Sequence, residues 1–107
     1  MNYKLRIDSF AKRDIIEIYN YVKFNDSREN AEELLDNLEK TYLSLEKLPH
    51  RGHIPEELKD TGIKRFLEIH FKPYRVIYEI IGSIVYVHCI FDGRRNLQEI
   101  LYNRLLR

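Results

Sequence analysis

The chain has one cysteine, three prolines and four glycines in 107 residues. A single thiol, Cys89, can neither close an internal disulfide nor form a metal cluster by itself. The most apolar stretch, residues 76–91, is interrupted by Glu79, Gly82, Ser83 and His88. It falls short of the ~20 residues that a membrane helix needs, so no membrane partner is expected. The first six residues have no apolar h-region, so no signal peptide is expected. There are no repeats, no low-complexity tract and no long linker. No phosphate-binding glycine loop, nucleophile elbow or zinc spacing is present, and no cofactor is expected. These absences describe a small cytosolic domain in a reducing compartment.

What is present bounds the fold. Hydrophobic residues make up 44% of the chain, and eight tyrosines and five phenylalanines add ample apolar surface, which excludes intrinsic disorder. The length suits one domain over residues 1–107, burying about two-thirds of its unfolded surface. The net charge is only +1, but it is unevenly placed. Residues 1–63 carry ten Lys/Arg against thirteen Asp/Glu, and residues 64–107 carry eight against four. A basic C-terminal half is expected to meet an acidic or phosphate-bearing partner.

The periodicities give the order of elements. Tyr3, Leu5 and Ile7 alternate with Lys4, Arg6 and Asp8, as on a half-buried strand. Ser9 is positioned to cap a helix with Ala11, Ile15, Ile18 and Val22 on one face. Asp26 and Glu29 have the spacing of a capping box for a second helix, whose stripe runs from Ala31 to Leu48 before Pro49. The two helices form an antiparallel hairpin. Residues 49–63 read as a loop.

Three strands follow. Arg65–Phe71 alternates Leu67, Ile69 and Phe71 against Glu68 and His70. Tyr74–Ile81 puts Arg75 and Glu79 on one face and Tyr74, Val76, Tyr78 and Ile80 on the other. Ile84–Phe91 puts Val85, Val87, Cys89 and Phe91 together, opposite Tyr86 and His88. Lys72-Pro73 and Gly82-Ser83 are the turns, the second of type II′. A helix over residues 96–107 closes the chain, with Leu97, Ile100, Leu101 and Leu105 as its stripe. The fold class is α+β, a two-layer domain with the helical hairpin on one sheet face and the other face free to bind.

Candidate chemistry rests on cations and aromatics. Arg75, Arg94 and Arg95 lie near one sheet edge in this topology and would make a phosphate-binding patch, with Arg65 farther off. The alternative for Arg75 is an ion pair with Glu79. Tyr86, His88 and Tyr102 have the chemistry to stack on bases or transfer protons, or else belong to the packing. His50 and His53 are three apart in a loop without a cysteine or acid cluster, so no metal site is expected there. Cys89, mid-strand, reads as a buried inert thiol.

Three runs together resemble the RelE/ParE toxin superfamily: Pro73-Tyr74-Arg75-Val76-Ile77-Tyr78-Glu79-Ile80, then Val85–Phe91, then Asp92-Gly93-Arg94-Arg95-Asn96-Leu97. The Ala11–Tyr21 helix, the Leu-rich helix ending at Leu48-Pro49, Gly52, and the terminal Ile100-Leu101-Tyr102-Asn103-Arg104-Leu105 agree with it. The resemblance covers essentially the whole chain and implies the RelE/ParE-like α+β fold. It also implies a toxin encoded beside an antitoxin that neutralises it.

Members resembling RelE cleave messenger RNA in the ribosomal A site, whereas members resembling ParE poison DNA gyrase and cleave nothing. Arg75 matches the arginine of RelE-like nucleases, and Arg94, Arg95 and Tyr102 complete the catalytic set implied for a metal-independent endoribonuclease. Where those nucleases carry lysines on the preceding strand, this chain has Phe66 and Glu68, and an acid there opposes phosphate chemistry. The resemblance therefore leans to a ParE-like gyrase poison, with Arg65, Arg75, His88, Arg94, Arg95 and Arg104 facing the target. The alternatives are a ribosome-dependent messenger RNA nuclease and a non-toxic member that acts with its antitoxin in operon autoregulation.

Overall fold

The computed structural model describes residues 2–95 and 97–104. Strand β1 (Lys4–Ile7) leads into helices α1 (Ser9–Asn25) and α2 (Arg28–Leu43). Strands β2 (Phe66–Phe71), β3 (Tyr74–Ile81) and β4 (Ile84–Asp92) follow, and helix α3 (Leu97–Arg104) comes last. The sheet order is β1-β4-β3-β2. The last three strands form an antiparallel meander, while β1 runs parallel to β4 along one edge. This is the α+β architecture expected from the periodicities. Asn96 and Leu105, expected in the last helix, lie outside the described residues.

Both helix caps sit one residue away from the expected positions. Asp8, not Ser9, caps α1 by accepting from the Ala11 N–H at 2.9 Å. Ser27, not Asp26, caps α2 by accepting from the Asn30 N–H at 3.0 Å, and the Asp26 carboxylate takes the Asn30 side chain instead. In each case two cap-forming residues are adjacent, and the one whose backbone is extended takes the role. Helix α2 ends at Leu43 and tightens into a 3-10 turn over Ser44–Glu46, short of Pro49.

The two turns of the meander work through backbone handedness. Gly82 has φ +61°, as the first position of a type II′ turn requires, while Lys72 takes φ +53° without being glycine.

The sheet has two cores, one on each face. Ala11, Leu38, Tyr42 and Leu45 from the helical layer pack on Ile69, Val76, Tyr78, Val85, Val87 and Ile90. On the opposite face, Phe66, Ile77, Cys89 and Phe91 pack beneath Leu58 and Ile100. That face, expected to be free, is instead partly roofed by residues 54–63 and by α3. The region expected as a plain loop contains short 3-10 turns at Pro49–Arg51 and Glu56–Leu58, and His53 forms an isolated bridge with Glu68.

A β-bulge explains why β4 serves both cores. Ile77 pairs with Cys89 and Tyr78 with Val87, which leaves His88 as the extra residue. An inserted residue reverses the alternation beyond it. Val85 and Val87 thus face the helices, while Cys89 and Phe91 face the second core. The expected single face holding all four residues is corrected at this point.

Candidate functional site

Arg75 stands mid-face on the second-core side of β3, and its guanidinium is held by two carboxylates. Its Nε donates to Glu68 Oε2 at 2.6 Å, and its Nη2 donates to Glu68 Oε1 at 2.9 Å. Nη1 and Nη2 donate to the two oxygens of Glu57, each at 3.1 Å. These contacts use four of the five guanidinium N–H donors. The partner is not Glu79, the one expected from strand spacing. The arginine side chain is 14% exposed and that of Glu68 only 3%.

Burial alone would pull the Arg75 guanidinium down, but the hydrogen bonds it donates to Glu57 and Glu68 raise it above the usual arginine range. Burial likewise opposes the Glu57 carboxylate, yet the Arg75 hydrogen bond brings it below the usual range. The arginine stem also shapes the chain beyond β4. A Cβ at Gly93 would lie 3.0 Å from Arg75 Cδ and 3.0 Å from the Pro73 carbonyl, so glycine leaves room for it.

Arg104 and His88 of the C-terminal half are also paired with carboxylates. Arg104 of α3 donates to Asp14 of α1 at 2.6 Å. Asp14 also accepts the Ile90 N–H at 2.9 Å, because β1 pairs with β4 only as far as Val87 and leaves this buried edge group without a strand partner. Burial raises the Asp14 carboxyl despite both donors. His88 bridges Asp8 and Glu79 at 3.0 and 2.9 Å, with its ring edge-on to Phe66. Arg94 folds back on Asp92, and Arg65 lies over the Phe66 ring.

Part of the charge asymmetry of the sequence is thus internal. Glu57, Asp14 and Asp8 from residues 1–63 meet Arg75, Arg104 and His88 from residues 64–107. The expected cluster of three accessible guanidiniums does not form. Arg75 is enclosed, while Arg94 and Arg95 sit at the surface. Tyr102 is 65% exposed on α3, and Tyr86 is half-buried. Cys89 is buried, and burial pushes its thiol up to about 12, which keeps it protonated and inert.

An open cleft of about 450 Å³ lies between α1 and the corner where β3 begins and β4 ends. Ile18, Tyr21, Tyr74 and Ile90 are among its apolar lining, and Arg94 and Arg95 line it together with the acids Asp14, Glu17 and Asp92. Tyr21 and Phe24 extend an exposed aromatic surface along α1, at 68% and 85% exposure. Sequence reasoning missed this surface. The signal was there in Tyr21 and Phe24, aromatics at i and i+3 off the core stripe of α1. No helix among the described residues is long and apolar enough to cross a membrane.

Comparisons with known proteins agree with this fold. The family described as the ParE toxin of the type II toxin-antitoxin system, parDE, matches residues 5–97. No protein in a search of curated sequences matches the chain significantly. Among solved structures, the chain is similar to the chromosomal ParDE toxin-antitoxin system of Pseudomonas aeruginosa. The TM-score is 0.70 at 13% identity, over 84% of this chain and 95% of that one. It is similar to the RelBE2 toxin-antitoxin complex of Mycobacterium tuberculosis, with TM-score 0.62 and 16% identity over 86% and 99% of the two chains. It is also similar to a double arginine-to-alanine mutant of the Escherichia coli toxin RelE in the free state. There the TM-score is 0.63 and the identity 18%, over 99% and 96% of the two chains.

Proposed function

The chain belongs to the ParE toxin family of type II toxin-antitoxin systems, and from that premise we propose that it arrests growth by binding DNA gyrase without cleaving nucleic acid. The observation that carries this reading is the enclosure of Arg75 between Glu57 and Glu68. Metal-free RNA cleavage needs a cation aimed at the pentacoordinate phosphate. Here the candidate cation is neutralised, and a phosphate would have to displace a carboxylate from it. Glu68 adds a negative charge on the preceding strand, which repels phosphate further.

The same surface reading extends to the partner. A cognate antitoxin lays an apolar segment in the cleft lined by Ile18, Tyr21, Tyr74 and Ile90, with acidic groups towards Arg94 and Arg95. The exposed aromatics of α1 suit a protein interface. The target surface then draws on what remains outside, namely Arg65, Arg94, Arg95 and the exposed Tyr102. Arg75, Arg104 and His88 support it from within: Arg75 holds Glu57 and with it residues 54–63, Arg104 ties α3 to α1 through Asp14, and His88 links Asp8 to Glu79 of β3.

The test uses the wild-type chain in two assays. Gyrase supercoiling is expected to be blocked, and primer extension along a translated message is expected to show no codon-positioned cuts. Cuts with unaffected gyrase would establish the ribosome-dependent nuclease instead. Tight antitoxin binding with no growth defect would indicate a member confined to operon autoregulation.

A further inference from the structure

His53, Glu68 and His70 converge at the β2 edge of the sheet, away from the cleft. Residues i and i+2 of a strand project to the same face, which sets Glu68 and His70 side by side. His53 is the cross-strand partner of Glu68 in an isolated antiparallel bridge. The His53 N–H donates to the Glu68 carbonyl at 3.1 Å, and the Glu68 N–H donates to the His53 carbonyl at 2.7 Å. His53, 15 and 17 positions before Glu68 and His70, is thereby brought beside them by backbone pairing.

Their ligand atoms lie close enough for a modest closing to give a metal's spacing. His70 Nε2 lies 3.4 Å from Glu68 Oε1, and His53 Nε2 lies 3.8 Å from the same oxygen. All three atoms lie within 4.8 Å of one another. Zinc bonds of about 2.0–2.1 Å at tetrahedral angles separate neighbouring ligands by roughly 3.3 Å. We infer that His53, Glu68 and His70 form a zinc site with three protein ligands and an outward position open to water.

The surroundings favour this reading over a pair of histidine–carboxylate contacts. The His53 Nδ1 stands 3.2 Å from the Ile54 carbonyl, which only accepts. The proton therefore belongs on Nδ1, and Nε2 presents its lone pair to the cluster, as a metal requires. Glu68 is fixed by two hydrogen bonds from Arg75, so its carboxylate is oriented before any ion arrives. Glu57, Arg75 and Glu68 together carry one net negative charge, which a dication offsets. His53 and His70 are 60% and 49% exposed, giving the ion an entry path, while Glu68 at 3% anchors it from below. Two imidazoles and a carboxylate, with no thiolate, suit zinc rather than calcium or magnesium. The bound ion would clip residues 52–54 to the sheet edge, independently of any target.

Calorimetric titration of zinc chloride into the untagged, metal-free chain tests the site. One ion per chain is expected, and cobalt in place of zinc should give the visible absorption of a tetrahedral complex. His53→Ala and His70→Ala should each weaken zinc binding by at least about tenfold. Both side chains are well exposed, so circular dichroism should show an intact fold. His50→Ala, outside the cluster, should bind like wild type. Absence of binding, or binding unchanged in both ligand variants, would overturn the assignment.

Discussion

Arg75→Ala tests the enclosure on which the functional reading depends. The substitution removes four hydrogen bonds and leaves Glu68 as a buried carboxylate. Removing one partner of a buried ion pair costs about 3–5 kcal/mol, because the other charge stays uncompensated. His70 at 3.4 Å gives Glu68 a substitute partner, and Glu57 is accessible enough to hydrate. The lower end, about 3 kcal/mol, is therefore expected. With roughly 4–8 °C lost per kcal/mol in a domain of this size, the midpoint should fall by about 12–24 °C. An arginine reaching into solvent for a phosphate would cost under about 0.5 kcal/mol. Urea denaturation separates the two cases. The double variant Arg75→Ala/Glu68→Gln should recover part of the loss by removing the orphaned charge. A single variant as stable as wild type would refute the enclosure.

Three further outcomes follow from the geometry. Gly52→Ala should destabilise by about 1–3 kcal/mol, because its Cβ would collide with the Tyr78 hydroxyl and lie 2.8 Å from the Glu68 carbonyl. Thermal melts should show a smaller penalty for Gly52→Ala in a Tyr78→Phe background. Glu57 is held below the ordinary 4.5, so the unfolded chain takes up its proton first; the stability it contributes is present above about pH 4.5 and is lost as pH falls through the folded value. Denaturation between about pH 6 and pH 3 should therefore show a shallower acid loss in Glu57→Gln than in wild type. Cys89 should resist a thiol-specific reagent in the native chain and react once denatured, since its thiol is buried and raised to about 12.

Local pattern revealed what local physics decides. The helical stripes, the β2 and β3 faces and the Gly82-Ser83 turn each follow from periods of 3.6 or 2 or from the φ of one glycine. The bulge at His88 was hidden because residues around it are apolar on both faces. Val87, Cys89, Ile90 and Phe91 satisfy either register once the sheet is covered on both sides. The ion pairs were hidden for another reason. Glu57 and Arg75 are 18 positions apart, and Asp14 and Arg104 are 90 apart, so no periodicity links them. The His53, Glu68 and His70 cluster escaped for the same reason, since His53 meets Glu68 across a bridge rather than along a motif.

With Arg75 enclosed, this ParE-family chain is expected to act on gyrase without nuclease chemistry. Gyrase supercoiling of relaxed plasmid, with and without the purified chain, tests it most directly. Inhibition that rises with toxin concentration and is relieved by the cognate antitoxin is the predicted result. Undisturbed supercoiling by a chain that still arrests growth would contradict it.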